Sequence, residues 1–209
     1  MKVVKFGGSS LANYDRFKTV ANIIATQTRT TSITAVLSAP KTVTNQLVAL
    51  CETAEQGLEF QDKIDYLKDF LLAIVKEAEL DSNEGLVSSV DDLVKSVSDK
   101  LTGVRLIESC PAHIKAFVIC RGEVFSVLLM QALFESKGVT SQVLDPTKSI
   151  ISSDDALNGV ADIELSRASL IAHMESGNQV YLLPGFTAAN QDGQLTTLGR
   201  NGSDYSAAI

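Results

Sequence analysis

The sequence contains no tryptophan, and aromatic residues make up only 6% of its 209 residues. Proteins that bind single-stranded nucleic acid stack the bases on aromatic side chains, and proteins that bind duplexes or anionic membranes need clustered lysine and arginine. This chain has a net charge of −7 and no basic cluster. We therefore expect neither a nucleic-acid nor a membrane partner. Binding of small anionic ligands remains possible, because a few local hydrogen-bond donors are enough for it.

Cysteine and histidine are also scarce. The three cysteines, Cys51, Cys110 and Cys120, are odd in number and fit no metal or redox spacing. We expect them to be reduced, partly buried thiols of a cytoplasmic protein. The two histidines, His113 and His173, stand alone, so the sequence predicts no metal site made by the protein.

The remaining composition is that of a globular protein. Hydrophobic residues make up 45% of the chain and charged residues 21%, which is enough to bury a core and argues against disorder. The N-terminus lacks a signal-peptide stretch, and the longest apolar runs, such as 71–75 and 127–130, are too short to span a bilayer. The length suits one large domain or two small ones.

The order of hydrophobic periodicities predicts an α/β fold. Two β-rich runs, Lys2–Phe6 and 33–38, enclose an amphipathic helix that Asn13 can cap, and such a unit implies parallel strands with a right-handed crossover. A helical excursion follows over about 42–102. The later predictions are a helix over 111–137 ended by Gly138, strands over 140–144 and 179–184 joined by a helix over 162–176, and a hairpin around 190–194.

The first predicted strand carries Lys5 near its end, and GGSS follows it directly, so residues 5–10 read KFGGSS. Glycine lets the backbone approach a phosphate, serine adds hydroxyl donors, and lysine adds a mobile positive charge. An edge lysine before an ordinary turn would also explain the segment. The motifs G-x-x-x-x-G-K-[ST] and G-x-G-x-x-G are both missing, which argues against P-loop NTPases and standard dinucleotide folds.

A second glycine-containing loop, 199–204, offers Arg200, Ser203 and Asp204 after a predicted strand. An arginine can clamp a carboxylate bidentately, and an aspartate beside it can hold the arginine, bind an ammonium group or order a lysine. A helix N-cap by Ser203 or Asp204 beside a solvated arginine is the alternative. Ligands of open α/β sheets lie at the carboxyl ends of the strands, which is where both loops are expected.

Two further segments carry polar groups at notable places. Ser38, Ala39 and Thr44 flank Pro40 after the second predicted strand, where hydroxyl groups can face a ligand or merely cap the next helix. Glu123 follows Arg121 within the mainly apolar segment AFVICRGEVFSVLLM. Because a buried charge is unfavourable unless it is paired, Glu123 either forms an ion pair with that arginine or receives a substrate ammonium group.

Four segments together resemble the amino-acid kinase family, and within it the aspartate kinases. They are KFGGSS, LSAPKTVTNQL at 37–47, CRGE at 120–123 and LPGFTAANQDGQLTTLGRNGSDYSAA at 183–208. They occur in the order of the family and extend over essentially the whole chain, and the long final segment is the most specific of them. The LSAP and GRNGSDYSAA versions look most like the kinase portion of bifunctional aspartokinase–homoserine dehydrogenases. The segment GGSS has serine where many relatives carry threonine, a change that keeps the hydroxyl group.

The resemblance implies a three-layer α/β/α sandwich with a mainly parallel sheet, incomplete at the C-terminus. It also implies transfer of the γ-phosphoryl group of ATP, with Mg²⁺, to the β-carboxylate of L-aspartate, the first step towards lysine, threonine and methionine. Residues 1–209 would be the aspartate-binding part of a longer homo-oligomeric cytoplasmic enzyme. The nucleotide-binding half and the regulatory domains would lie beyond this part, which we expect to be inactive alone.

The resemblance also implies a role for each candidate residue. Lys5 would neutralise the transferring phosphoryl group, and Asp204 would organise Lys5. Arg200 would clamp a substrate carboxylate and Glu123 would receive the α-ammonium group. The remaining candidates are the phosphate cradle of Gly7, Gly8, Ser9 and Ser10 and the substrate-pocket residues Ser38, Ala39, Thr44 and Ser203. A kinase for glutamate or acetylglutamate, or a non-catalytic aspartate-binding module, are the alternatives.

Overall fold

The centre of the fold is a four-stranded parallel sheet, seen in a computed structural model that describes residues 1–177 and 180–209. Its strands are β1 (Lys2–Phe6), β2 (Ile33–Leu37), β3 (Ser141–Val143) and β4 (Val180–Pro184), in the spatial order β1-β2-β4-β3. This confirms the α/β class and the parallel strand–helix–strand unit. The predicted strand over 179–184 is confirmed from Val180 onward, since Gln179 lies outside the described residues.

Helices flank the sheet, and a two-stranded antiparallel hairpin precedes the last helix. The helices are α1 (Tyr14–Gln27), α2 (Val43–Glu55), α3 (Gln61–Glu77), α4 (Glu84–Ile107), α5 (Ala112–Ile119), α6 (Arg121–Ser136), α7 (Pro146–Ser149), α8 (Ile163–His173) and α9 (Gly202–Ala208), and the hairpin consists of β5 (Thr187–Ala189) and β6 (Leu195–Thr197). The predicted cap is confirmed, because the backbone N–H of Arg16 donates to the Asn13 side chain at 3.1 Å.

The two faces of the sheet belong to two hydrophobic cores. Successive side chains of a strand point to opposite faces, and along β2 Ala35 and Leu37 join the larger core with α1 to α4 and α6, whereas Val36 joins a smaller one. Lys5 is paired in register with Val36, so it lies on the smaller-core face. Helix α9 packs on β1 and β2 at that face. A lysine in this strand is therefore directed at α9 and away from the larger core.

The helical excursion predicted over about 42–102 is formed by α2, α3 and α4, and it supplies much of the larger core. Both predicted apolar stripes are buried; their members are Ile64, Leu67, Leu71, Ile74, Val75 and Ala78 in the first, and Leu86, Val90, Leu93, Val94, Val97 and Leu101 in the second. We expected this helical segment to be purely structural, but the first turn of α2 contributes residues to the pocket described below.

The helix predicted as one element over 111–137 is two helices, α5 and α6, with a break at Cys120. The break brings Gly122 against Ala39, where a Cβ atom on Gly122 would lie 2.5 Å from the Cβ of Ala39. Only glycine permits this approach. Taken as a whole, the segment Ala112–Ser136 is long and apolar enough to cross a membrane, which the short apolar runs did not predict. Its most apolar window is 72% buried within the fold, as expected of core helices.

The cysteines are free thiols in the described structure. Cys51 and Cys120 are buried, and Cys110 is half-buried beside Cys51. Burial raises the pKa of Cys51 and of Cys120 to about 12, so neither thiol ionises readily enough to serve as a nucleophile.

Candidate active site

Three neighbouring strands, β1, β2 and β4, end at the same edge of the sheet, and a pocket of about 340 Å³ opens there. This is where open α/β sheets bind their ligands. Eight candidate residues line the pocket: Lys5, Gly8, Ser38, Ala39, Thr44, Glu123, Ser203 and Asp204. The fold therefore brings together side chains from four of the segments that the sequence singled out.

Lys5 and Asp204 form an ion pair at one side of this pocket. The Nζ atom of Lys5 lies 2.8 Å from the Oδ1 atom of Asp204, and the two side chains are 25% and 61% exposed. A pair with this exposure contributes little to the stability of the fold. The pair instead sets the position of Lys5, because the Asp204 carboxylate holds the Lys5 ammonium group at the wall of the pocket.

The Gly7–Gly8 turn places its backbone close to the loop that follows β2. A Cβ atom on Gly8 would lie 2.9 Å from the carbonyl oxygen of Ala39, so this position requires glycine. The backbone N–H of Ser10 donates to the carbonyl of Gly7 at 2.8 Å and closes the turn. Gly7, Ser9 and Ser10 form the turn behind Gly8 and are not themselves among the residues that line the pocket.

Glu123 is the most deeply buried ionisable group of the pocket, with 4% of its surface exposed. Burial raises the pKa of its carboxyl group to about 8, although hydrogen bonds from the backbone N–H groups of Ala39 and Glu123 itself and the charge of Arg121 oppose the shift. Its Oε2 atom has no hydrogen-bond partner within the described ranges. Of the five side-chain atoms of this kind in the described ranges, only this one belongs to a residue that lines the pocket, so it is available to a ligand there.

Arg121 does not supply that partner. Its Nε atom donates to the carbonyl of Phe117 at 3.1 Å, and its guanidinium group lies 4.1 Å from the centre of the Phe117 ring. Among residues 1–177 and 180–209, no ion pair joins Arg121 to Glu123. Of the two interpretations offered for Glu123, the structural ion pair is not formed.

Close contacts hold the loops of the pocket in place. The Ser126 hydroxyl group donates to the carbonyl of Ser38 at 2.8 Å and ties the loop after β2 to α6. At the end of β4, a Cβ atom on Gly185 would lie 2.6 Å from the Oγ atom of Ser203. The lack of a side chain at Gly185 therefore lets α9 pack directly on the loop that follows β4.

Backbone strain is concentrated around the pocket. Thr42, Phe186 and Asn201 have φ angles of 76°, 67° and 58°, and all three line it. They are three of the five non-glycine residues with positive φ in the part of the chain that the structure describes. Residues in this region cost on the order of 1–3 kcal/mol each and are typical of functional sites. The N-cap position of α9 is Asn201, so neither Ser203 nor Asp204 caps that helix as the alternative interpretation required.

Arg200 is exposed and is not among the residues that line the pocket, so its carboxylate clamp stays a prediction. The lining also includes residues that the sequence did not single out: Pro40, Lys41, Thr42, Asn45, Phe186, Gly199, Asn201 and Gly202. The signal for them was their position inside the segments LSAPKTVTNQL and LPGF…GRNGSD, and Gly199, Asn201 and Gly202 also lie in the glycine-containing loop 199–204. Proline and phenylalanine offer no chemical group that would have marked them.

Known proteins match the whole chain in sequence. The Amino acid kinase family matches residues 1–209. The chain is similar to the bifunctional aspartokinase/homoserine dehydrogenases of Buchnera aphidicola (32% identity over 214 residues) and Haemophilus influenzae (35% over 212), with the whole chain and 26% of each relative aligned.

Among solved structures, E. coli aspartokinase III in complex with aspartate and ADP has 27% identity and a TM-score of 0.88, and the match covers the whole chain and 45% of that protein. The chain thus spans about a quarter of the length of its bifunctional relatives and under half of aspartokinase III. Because the family match extends over every residue from 1 to 209, the chain belongs to the amino acid kinase family.

Proposed function

We propose that residues 1–209 are the aspartate-binding part of an aspartate kinase that uses ATP to form 4-phospho-L-aspartate and ADP. The observation that carries the proposal is the unpartnered, buried carboxylate oxygen of Glu123 in the same pocket as the Lys5–Asp204 pair. An α-ammonium group supplies the partner that this oxygen lacks, and Lys5 supplies the charge that a phosphoryl group requires.

The reaction needs few groups from the protein. An oxygen of the β-carboxylate forms a bond to the γ-phosphorus of ATP, the bond from that phosphorus to the bridging oxygen breaks, and ADP leaves with the electron pair. The carboxylate is already ionised, so no proton has to be removed from it. Catalysis then consists of positioning and charge neutralisation. Lys5, held by Asp204 at 2.8 Å, would neutralise charge on the transferring phosphoryl group.

The described residues fit the phosphate end of ATP. Gly7 and Gly8 leave the turn beside Lys5 without side chains, and Ser9 and Ser10, which lie behind Gly8, would complete the proposed cradle. For Mg²⁺ the fit is limited, because the described residues contain no group of three or more His, Cys, Asp or Glu side chains that could hold a metal ion. Mg²⁺ would therefore arrive bound to the phosphates, and Asp204 is the pocket carboxylate that lies beside Lys5.

The other candidate residues would recognise aspartate. Ser38, Thr44 and Ser203 offer hydroxyl groups, and Ala39 offers backbone groups at the same wall. Arg200 would reach a substrate carboxylate from the exposed rim. The resemblance to E. coli aspartokinase III, which was solved with aspartate and ADP, supports this substrate pair. The two bifunctional relatives support a parent chain that continues into a dehydrogenase and acts in the pathway to threonine, lysine and methionine.

The full-length parent enzyme provides the test. We expect ADP formation that depends on L-aspartate, and trapping of the acyl phosphate by hydroxylamine as a hydroxamate. L-glutamate and N-acetyl-L-glutamate should not replace aspartate, and turnover with either instead of aspartate would refute the assigned substrate. Aspartate binding without turnover would identify a non-catalytic module. The 209-residue chain alone should show no steady turnover, and sedimentation of the parent enzyme should show the proposed homo-oligomer.

A further inference from the structure

A second lysine, Lys41, lines the pocket on the loop between β2 and α2. A Cβ atom built on Gly8 would lie 3.5 Å from the backbone nitrogen of Lys41 and 3.6 Å from its Cα atom. A Cβ atom built on Gly7 would lie 3.5 Å from the Nζ atom of Lys5. The two lysines therefore flank the Gly7–Gly8 turn, Lys5 beside its first residue and Lys41 beside its second.

The two lysines differ in whether their ammonium groups form an ion pair. Lys5 is paired with Asp204, whereas Lys41 is exposed and takes part in none of the ion pairs found within 1–177 and 180–209. No hydrogen bond in those ranges uses the Lys41 side chain either. An anion that settles on the turn would thus meet one ammonium group shared with a carboxylate and one that is unshared.

The backbone at Lys41 is fixed, although its side chain is exposed. Pro40 precedes it, and Thr42 follows it in the left-handed conformation with a φ angle of 76°. The carbonyl of Pro40 accepts a hydrogen bond from the backbone N–H of Val43 at 3.1 Å, which closes this tight turn before α2. This turn fixes the Cα atom of Lys41 at the mouth of the pocket. Rotation about the bonds of the side chain can then bring the ammonium group into the pocket.

We propose that Lys41 binds the terminal phosphate of the nucleotide, opposite Lys5 across the Gly7–Gly8 turn. This assignment rests on the proposed function, in which two anionic substrates must approach each other in one pocket. The transferring group carries charge on three oxygens, and a single lysine shared with Asp204 neutralises only part of it. A lysine ammonium group is a compact charge that suits a phosphate, which leaves the aspartate groups to Glu123 and the hydroxyl-bearing residues.

The test compares three variants of the full-length parent enzyme. Lys41→Met removes the charge and keeps most of the length of the side chain, and Lys41→Arg keeps the charge. Lys137→Met is the matched control, because Lys137 is also exposed but follows the C-terminal end of α6, about 20 Å along the helix from Glu123. Thermal denaturation of each variant checks that the fold is unchanged.

We expect Lys41→Met to raise the Kd and the KM of ATP roughly tenfold, the usual effect of one charge-assisted hydrogen bond in a partly open site. The KM of aspartate should change less than about twofold. Lys41→Arg should recover most of the ATP affinity, and the difference between wild type and Lys41→Met should shrink as salt is added, because accessible charges are screened.

Several outcomes would overturn the assignment. ATP affinity of Lys41→Met equal to that of Lys137→Met would show that Lys41 does not touch the nucleotide. A rise in the aspartate KM instead of the ATP constants would assign Lys41 to the other substrate. Because ATP binding is measured without turnover, an enzyme that fails to phosphorylate aspartate would refute the proposed function separately. Weaker ATP binding by Lys41→Met would support the role of Lys41 in that case too.

Discussion

Binding of L-aspartate should release a proton at neutral pH if its ammonium group docks against Glu123. The folded chain holds the pKa of this carboxyl group at about 8, mainly because the group is buried. At pH 7 a group with that pKa is roughly 0.9 protonated, and at pH 9 it is roughly 0.1 protonated. An ammonium group beside it favours the ionised form and lowers the pKa towards its ordinary value. The bound complex should therefore have lost about 0.9 of a proton at pH 7 and about 0.1 at pH 9.

The release can be counted by isothermal titration calorimetry on the full-length parent enzyme. Titrations of L-aspartate at pH 7 in buffers of different ionisation enthalpy give a line, and its slope is the number of protons released. Glu123→Gln should remove the slope, because the amide does not titrate. It should also weaken aspartate binding by roughly 1.5–3 kcal/mol, the range for a hydrogen bond to a charged group. Glu135→Gln, at an exposed position of the same helix, is the control that should behave like wild type.

The result that would refute this reasoning is a wild-type slope near zero at pH 7 together with normal affinity. Glu123 would then already be ionised in the free enzyme, or the ammonium group would bind elsewhere. An undiminished slope in Glu123→Gln would show that another group releases the proton. Either finding would remove the unpartnered carboxylate as support for the proposed function.

Three further predictions concern the parent enzyme. Lys5→Met and Asp204→Asn should each lower kcat more than they raise the aspartate KM, because their contacts tighten in the transition state; near-normal kcat in both would contradict the mechanism. Arg200→Lys should weaken aspartate use by roughly 1–3 kcal/mol without changing ATP affinity, and equal losses for both substrates would argue against a carboxylate clamp. Thr42→Gly should stabilise the protein by about 0.5–1 kcal/mol in thermal denaturation and lower kcat/KM, because it frees a strained turn. Glu79→Gly, also at positive φ but outside the pocket, should stabilise equally with unchanged activity.

The layout of the fold could be predicted from sequence because it depends on local patterns. The β-rich run Lys2–Phe6, the capped helix after Asn13 and the apolar stripes of α3 and α4 each encode their own element. The meeting of the candidate loops followed from one further rule, that parallel strands end at a common edge. The expectation that Lys2–Phe6 is a buried strand was wrong, since β1 is an edge strand without a fully buried residue, and its lysine pairs with Asp204 of α9 at the pocket.

The parts that sequence could not predict depend on residues that are far apart in the chain. The break at Cys120 accompanies the close packing of Gly122 against Ala39, and the hydrogen bond from Ser126 to Ser38 spans 88 positions. No local pattern records such contacts. The left-handed conformation of Phe186 is equally hidden, because an aromatic residue is among the least expected in that region.

The position of the pocket between the two cores explains how one site can serve two unlike groups. Lys5 lies on the smaller-core face beneath the seven-residue helix α9, which carries Asp204, and water reaches both side chains. Glu123 lies in the first turn of α6 within the larger core, where burial keeps its carboxyl group neutral until a cation arrives. The solvated side of the pocket therefore suits phosphates, and the desolvated side suits an ammonium group. An aspartate anchored by its ammonium group at Glu123 would extend its β-carboxylate across the pocket towards Lys5, where the γ-phosphoryl group is expected.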